Sequence, residues 1–321
     1  MKISPVIRDY AVAALPLVCG VSAALLLIFL HSISGLNPRP FPNIIWHTRE
    51  EFVSSAELTA RDVQSRISWG VSTAGLWSSA VAAVGVAVWA MAITTTPRER
   101  KWIPVFALAL LLLLSGIGYA LGSFGMFFGR DLSSTLHDGI LLRDGRDIGF
   151  VTTVGNTLVF IGSVMLALSF VVVLRPRSDE SLSSYRRRFD ALRVILYTSA
   201  AILVMGTIEV FYLYDWPSAL AVCEVQAVAI HKMARSMSAG AGTAGSILLA
   251  ALYAPTAMLM SERSRGIAAA ASPESSRAEQ DKWLMDEGLR TDTRKRVQDI
   301  LAIVSPLIAG GGIAQLLNNA S

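Results

Sequence analysis

Ser115-Gly116-Ile117-Gly118-Tyr119-Ala120-Leu121-Gly122-Ser123-Phe124-Gly125-Met126-Phe127-Phe128-Gly129 decides how this chain is read. It continues a run of pure hydrocarbon, Ala107 to Leu114. Ser115, Gly118, Gly122, Gly125 and Gly129 step by +3, +4, +3 and +4. That spacing puts all five on one narrow stripe of a helix. In water each interior glycine would cost ~1 kcal/mol against alanine. In lipid, a stripe of small residues is where helix backbones approach closely. The stretch therefore predicts a membrane helix with a groove for a neighbour.

The rest of the chain agrees. Of its 321 residues, 53% are hydrophobic and 16% charged, against roughly 25% charged in soluble domains. A hydrocarbon core needs ~20 residues of helix, and six apolar runs reach that length: about 10–31, 69–93, 103–128, 151–174, 192–214 and 238–260. The expected fold is all-α: a polytopic membrane bundle of six spans with outer helical loops and a cytoplasmic helical tail. Lys2 and Arg8 precede the first apolar run, which is longer than a signal-peptide core and lacks a clear small-x-small site, so it reads as a retained span.

Lysine and arginine set the orientation. Arg98, Arg100 and Lys101 crowd one short loop, and Arg175, Arg177, Arg186, Arg187, Arg188 and Arg193 another. The tail adds more. Both termini are expected in the cytoplasm, across a cell (inner) membrane. The net charge of +4 then reflects orientation and not nucleic-acid binding. Arg186, Arg187 and Arg188 are expected to touch anionic lipid, each charge being worth ~1 kcal/mol near the surface. Trp69 and Trp89 bracket the second span, about 30 Å apart on a helix, as interface-belt residues do.

Ser54-Ser55-Ala56-Glu57 matches a capping box, so a helix is expected to start there and run on into the second span. That span has its own small stripe in Ser72, Gly75 and Ser79, a mate for the groove. The sixth span opens on small residues, including Gly242 and Gly245. Before it, Glu224, His231 and Arg235 recur at +7 and +4 on one helical face. They predict an outer helix that lies on the membrane or prolongs the span.

The tail, 261–321, changes character. Ser272 and Pro273 stand where an N-cap and a first helical residue belong, and Gly288 suits a C-cap. Val297, Ile300, Leu301, Val304, Leu307 and Ile308 follow helical spacing, which predicts an amphipathic helix at about 292–309. Gly310-Gly311-Gly312 is expected to end it. With Pro306, those glycines argue against a seventh span, so the helix is expected to dock under the bundle, in the interface or on another subunit.

Glu209 is the one acid placed inside an expected span. An intramembrane ionisable group is a functional-site hypothesis by default. It serves either as an ion or proton pathway residue or as a carboxyl bonded to Arg66, Arg130, His31 or the outer helix. The histidines, His31, His47, His137 and His231, all fall on the expected outer side near acids, but no two have metal-motif spacing. No metal or cofactor is expected. Cys19 and Cys223 are expected at different depths, so no disulfide between them is expected. Thr152-Thr153-Val154-Gly155 resembles part of a potassium-channel filter, yet Asn156 stands in the tyrosine position and no second glycine follows.

The leading functional reading is a non-enzymatic, self-associating channel-like or membrane-scaffold protein. Its partners would be the lipid bilayer and either further copies or another membrane subunit. Its packing stripes, or pore linings, are Ser115, Gly118, Gly122, Gly125, Gly129, Gly75, Gly242 and Gly245. The alternatives are a secondary transporter using Glu209 and a membrane subunit with an outer-face His/acid metal site.

Overall fold

The computed structural model describes residues 49–95, 145–175, 182–271, 276–287, 289 and 293–318. Within them the chain is helical: α1 (Arg49–Ser54), α2 (Ala56–Thr94), α3 (Gly145–Leu174), α4 (Leu182–Asp215), a 3-10 turn (Trp216–Leu220), α5 (Glu224–Ala271), α6 (Arg277–Asp286) and α7 (Thr293–Asn318). Four stretches are long and apolar enough to cross a membrane: Ala56–Thr94, Val154–Leu174, Leu182–Leu220 and Glu224–Ala270. They contain the second, fourth, fifth and sixth expected spans, apart from the first residues of the fourth. The first and third, 10–31 and 103–128, lie outside the described residues, and so do Ser115, Gly118, Gly122, Gly125 and Gly129.

The helix starts follow local chemistry. Ser55 caps α2, its hydroxyl accepting from Leu58 N at 3.3 Å. The capping-box reading, with Ser54 at the cap, is therefore one residue early. Ser54 instead donates to Glu51 O in α1 at 2.9 Å, and Glu57 is left to pair with Arg61 at 2.7 Å. At the other end Thr94 and Thr95 donate to Ala90 O and Met91 O at 2.6 and 2.5 Å. These bonds engage carbonyls of the last turn, where intrahelical partners run out.

α5 is one helix of 48 residues, about 72 Å of rise. The expected outer helix and the sixth span are thus continuous, and Pro255 lies inside. Helix interiors tolerate proline in a membrane bundle because neighbours satisfy the freed groups.

α2, α4 and α5 form the centre, with α3 on α2 and α7 along α5 and α4. Ala83, Ala87 and Ala90 carry α2's small face into the core, against Phe170 and Val173 of α3 and Leu192, Ile195 and Leu196 of α4. Gly162 of α3 rests on Ala80, where an added Cβ would lie 3.0 Å from the carbonyl oxygen. Two arginines hold the C-terminal end of α3: Arg188 Nη1 donates to Arg175 O at 2.8 Å, and Arg263 Nη1 donates to Leu174 O. Cations at a helix C-terminus also complement its dipole.

α6 begins four residues later than the sequence signal at Ser272 implied. Ser276 is its N-cap in a reciprocal box with Glu279. At its far end Leu289 N donates to Leu284 O at 2.8 Å, the six-to-one bond of a Schellman turn. Gly288, expected at this cap, lies outside the described residues.

α7 departs most from expectation. It runs through Pro306 and Gly310-Gly311-Gly312 to Asn318. It also lies lengthwise beside the apolar helices, antiparallel to α5. Asp299 meets Tyr253, Pro306 meets Gly242 and Gly245, and Gly310 meets Ser238. Of these glycines, Gly310 is the one the contact needs, while open space surrounds Gly311. A Cβ on Gly310 would stand 2.6 Å from Ser238 O and 3.0 Å from Ala239 Cα. Beside Pro306, Leu307 N donates to Ser246 Oγ at 3.1 Å.

Candidate functional site

Glu209 sits two turns before the end of α4, facing α2. Its Oε1 accepts the indole N–H of Trp69 at 3.1 Å. Trp69 is buried and lies against Trp216, ring centres 5.5 Å apart. Trp216, in the 3-10 turn, donates to Asp62 Oδ1 at 2.9 Å. The other oxygen of Asp62 takes Arg66 Nε at 2.7 Å, and that guanidinium lies 5.6 Å over the Trp216 ring. A tilted indole pair, its planes 32° apart, thus stands between two carboxylates, each indole bonded to one of them. The turn has Pro217 in its first positions and buries Trp216, Pro217 and Leu220, which is how it directs the second indole inward.

α5 closes the same end. His231 Nδ1 lies 2.5 Å from Asp215 Oδ1, and its ring meets Phe211 edge-on at 5.8 Å. Lower down, Ser238 donates to Thr207 O at 3.0 Å. The bland expectation for Glu209 was a cation or an outer-helix partner, and the observed partner is an aromatic donor. Arg66 is instead committed to Asp62, while Arg130 and His31 lie outside the described residues. Trp69 was legible as a belt residue. Its place one turn before Ser72 and nearly two before Gly75, on the inward face, was the signal that its N–H needs an internal acceptor.

A further carboxylate is buried at the other end of the bundle. Asp299 of α7 is 5% exposed. Its Oδ1 accepts from Tyr197 of α4 at 3.0 Å and its Oδ2 from Tyr253 of α5 at 2.6 Å. Asp299 ties three helices at one point. Sequence reasoning missed it, although it is the lone acid in the apolar repeat that begins at Val297.

The remaining sequence candidates separate. Gly75 receives the methyl end of Met205, Gly242 leaves no room for a Cβ against the Pro306 carbonyl, and Gly245 packs on Leu203 and Pro306. The three therefore stand in helix contacts within the chain. Arg186 and Arg187 are exposed, but Arg188 is buried on the end of α3. Only two of that triplet are exposed. Cys223 is free and exposed. Among the described residues no group of three His, Cys, Asp or Glu side chains is placed to hold a metal. His31, His47 and His137 lie outside them.

Chemically, the Glu209 and Asp299 clusters are interhelical ties built from carboxylates and aromatic donors. What the described residues define is a class: a helical protein with, among those residues, four helices long and apolar enough to cross a membrane. Comparison with protein-family models, with curated proteins and with solved structures gives no significant match.

Proposed function

We propose that this chain is a non-enzymatic, self-associating membrane protein of the scaffold or channel-like class, with α7 embedded beside the spans. The observation that carries the reading is the polarity of its faces, which is inside out for water. On α7, Ile300 is 59% exposed and Ile308 56%, while Asp299 turns inward. A helix on a soluble surface does the reverse. Glu209 follows the same logic, its carboxylate turned to Trp69.

Self-association is supported by the outward side of α2. Gly70, Ala74, Ser78, Ala82 and Gly85 are exposed there, and open space surrounds Gly70 and Gly85. Small surfaces of this kind let a second helix approach. The basic loops favour the α6 end as the cytoplasmic side of an inner membrane.

Particle mass in nanodiscs tests the proposal. A symmetric particle of several copies is expected. A strictly monomeric particle whose solute or ion flux disappears in Glu209→Gln would overturn it in favour of a transporter.

A further inference from the structure

A groove of about 600 Å³ opens between the lower parts of α4, α5 and α7. We infer that it binds an anionic phospholipid, the phosphate held by Arg265 and Arg296 and an acyl chain lying against Met258, Ile300 and Ile303. The inference rests on the membrane reading of α7 given above.

Three observations converge on that ligand. The first is depth. Tyr253 and Ala257 line the upper part of the groove, inside the expected sixth span, and Arg265 lines the lower part, beyond its end. On α4 the groove reaches Arg193, at the start of the expected fifth span. It therefore straddles the level where hydrocarbon gives way to headgroups, as an amphiphile does.

The second is charge. Arg193, Arg265 and Arg296 line the groove with Glu262 and Asp299. Asp299 is occupied by two tyrosine hydroxyls, and Arg193 lies 4.0 Å from Asp190. Arg265 and Arg296 are exposed and form no ion pair among the described residues. Two guanidiniums on different helices, facing one opening, suit a phosphate diester, which accepts bidentate hydrogen bonds.

The third is the apolar side. Met258 is 72% exposed, and with Ile300 it forms the open wall. That wall would contact water in a soluble protein and acyl chains in a bilayer. The site is distinct from the exposed pair Arg186 and Arg187, which do not line it.

The test uses the full chain in mixed phosphatidylcholine–phosphatidylglycerol nanodiscs, with bound lipid counted by native mass spectrometry after extraction. The wild type should retain phosphatidylglycerol selectively. Arg265→Gln with Arg296→Gln should lower that selectivity by about thirtyfold, from the loss of two charges near the surface. Both positions are exposed, so folding should persist, and an unchanged melting point would verify it. Ala257→Trp, which fills the groove, should give the same loss with both arginines present. Unchanged selectivity in the double variant overturns the inference. So does an equal loss in Arg186→Gln with Arg187→Gln, or displacement of the lipid by millimolar inorganic phosphate, which would make the ligand a soluble anion. A reporter fused after Ser321 is read in the same sample. If it lies on the α6 side of the membrane, the embedding of α7 fails, and the groove proposal fails with it. If it lies on the far side while selectivity is unchanged, only the groove proposal fails.

Discussion

Tyr253 of α5 donates its hydroxyl hydrogen to Asp299 of α7 at 2.6 Å, and this bond fixes which face of α7 turns inward. Replacing Asp299 with alanine strands two tyrosine hydroxyls, of which Tyr253 is buried. A buried donor without an acceptor costs about 1–3 kcal/mol. Asp299→Ala should therefore lower the melting temperature in detergent and expose α7 to protease. Tyr197→Phe should cost less, because Tyr197 is exposed. Equal melting of Asp299→Ala and wild type would show that α7 is held by packing alone.

Gly242 and Gly240 provide a matched pair on one helix. A Cβ on Gly242 would collide with the Pro306 carbonyl, whereas open space surrounds Gly240. Gly242→Val should destabilise by about 1–3 kcal/mol, as overpacking does, and displace α7. Gly240→Val should leave the melting point within error. The two variants behaving alike in a thermal scan would contradict the described contact.

Glu209→Gln keeps an oxygen that can accept the Trp69 indole hydrogen. The fold and particle size should persist, with no change in solute or ion flux across proteoliposomes. Trp69→Ala removes the donor and the ring packed on Trp216. It should cost about 3–5 kcal/mol, as large-to-small aromatic changes do, read as lost thermal stability. Flux abolished by the glutamine variant in an intact particle would move Glu209 from tie to pathway.

The α6 cap gives a pH dependence. Glu279 accepts from the Ser276 backbone N–H at 2.8 Å and from its hydroxyl at 2.9 Å. These bonds favour the carboxylate and hold its pKa below the ordinary 4.5. A depressed acid contributes stability that is fully present above the unfolded value and is lost as pH falls through the folded one. The protection factor of the α6 amides, exchange rate corrected for its intrinsic pH dependence, should therefore stay level above about pH 4.5 and fall below it. Ser276→Ala should flatten that profile.

The course of α7 predicts a topology. It runs antiparallel to α5, so a reporter fused after Ser321 should be protected or labelled together with Cys223, and opposite to a reporter placed in α6. Labelling with membrane-impermeant reagents on sealed vesicles checks this directly.

Local chemistry was largely legible in advance. Hydrophobic run length located α2 through α5, because a bilayer sets a minimum length that composition alone reveals. Caps were found to within a few residues: Ser55 in place of Ser54, and Ser276 in place of Ser272. Such small slips are expected where several Ser residues compete for one cap. The stripe at 115–129 was the strongest packing signal, and it lies outside the described residues, so its mate is not assigned. The ties at Glu209 and Asp299 were not legible. Each joins residues far apart in the chain, Trp69 with Glu209 and Tyr197 with Asp299.

The sequence by itself determined that this is a helical chain suited to a membrane, with small residues where helices meet. Run length, glycine spacing and charge placement are local properties, and the solvent acts on them locally. Only the tertiary structure decided where α7 lies. Pro306 and three glycines read along the chain as helix breakers. Against Ser238, Gly242 and Ser246, Pro306 and Gly310 become residues that fit, because an interface asks for absent side chains and a partner for the Leu307 N–H. The same holds for Asp299. Next to Val297 and Ile300 it looks like the polar side of a surface helix, and in the bundle it is a point where α4, α5 and α7 are bonded together.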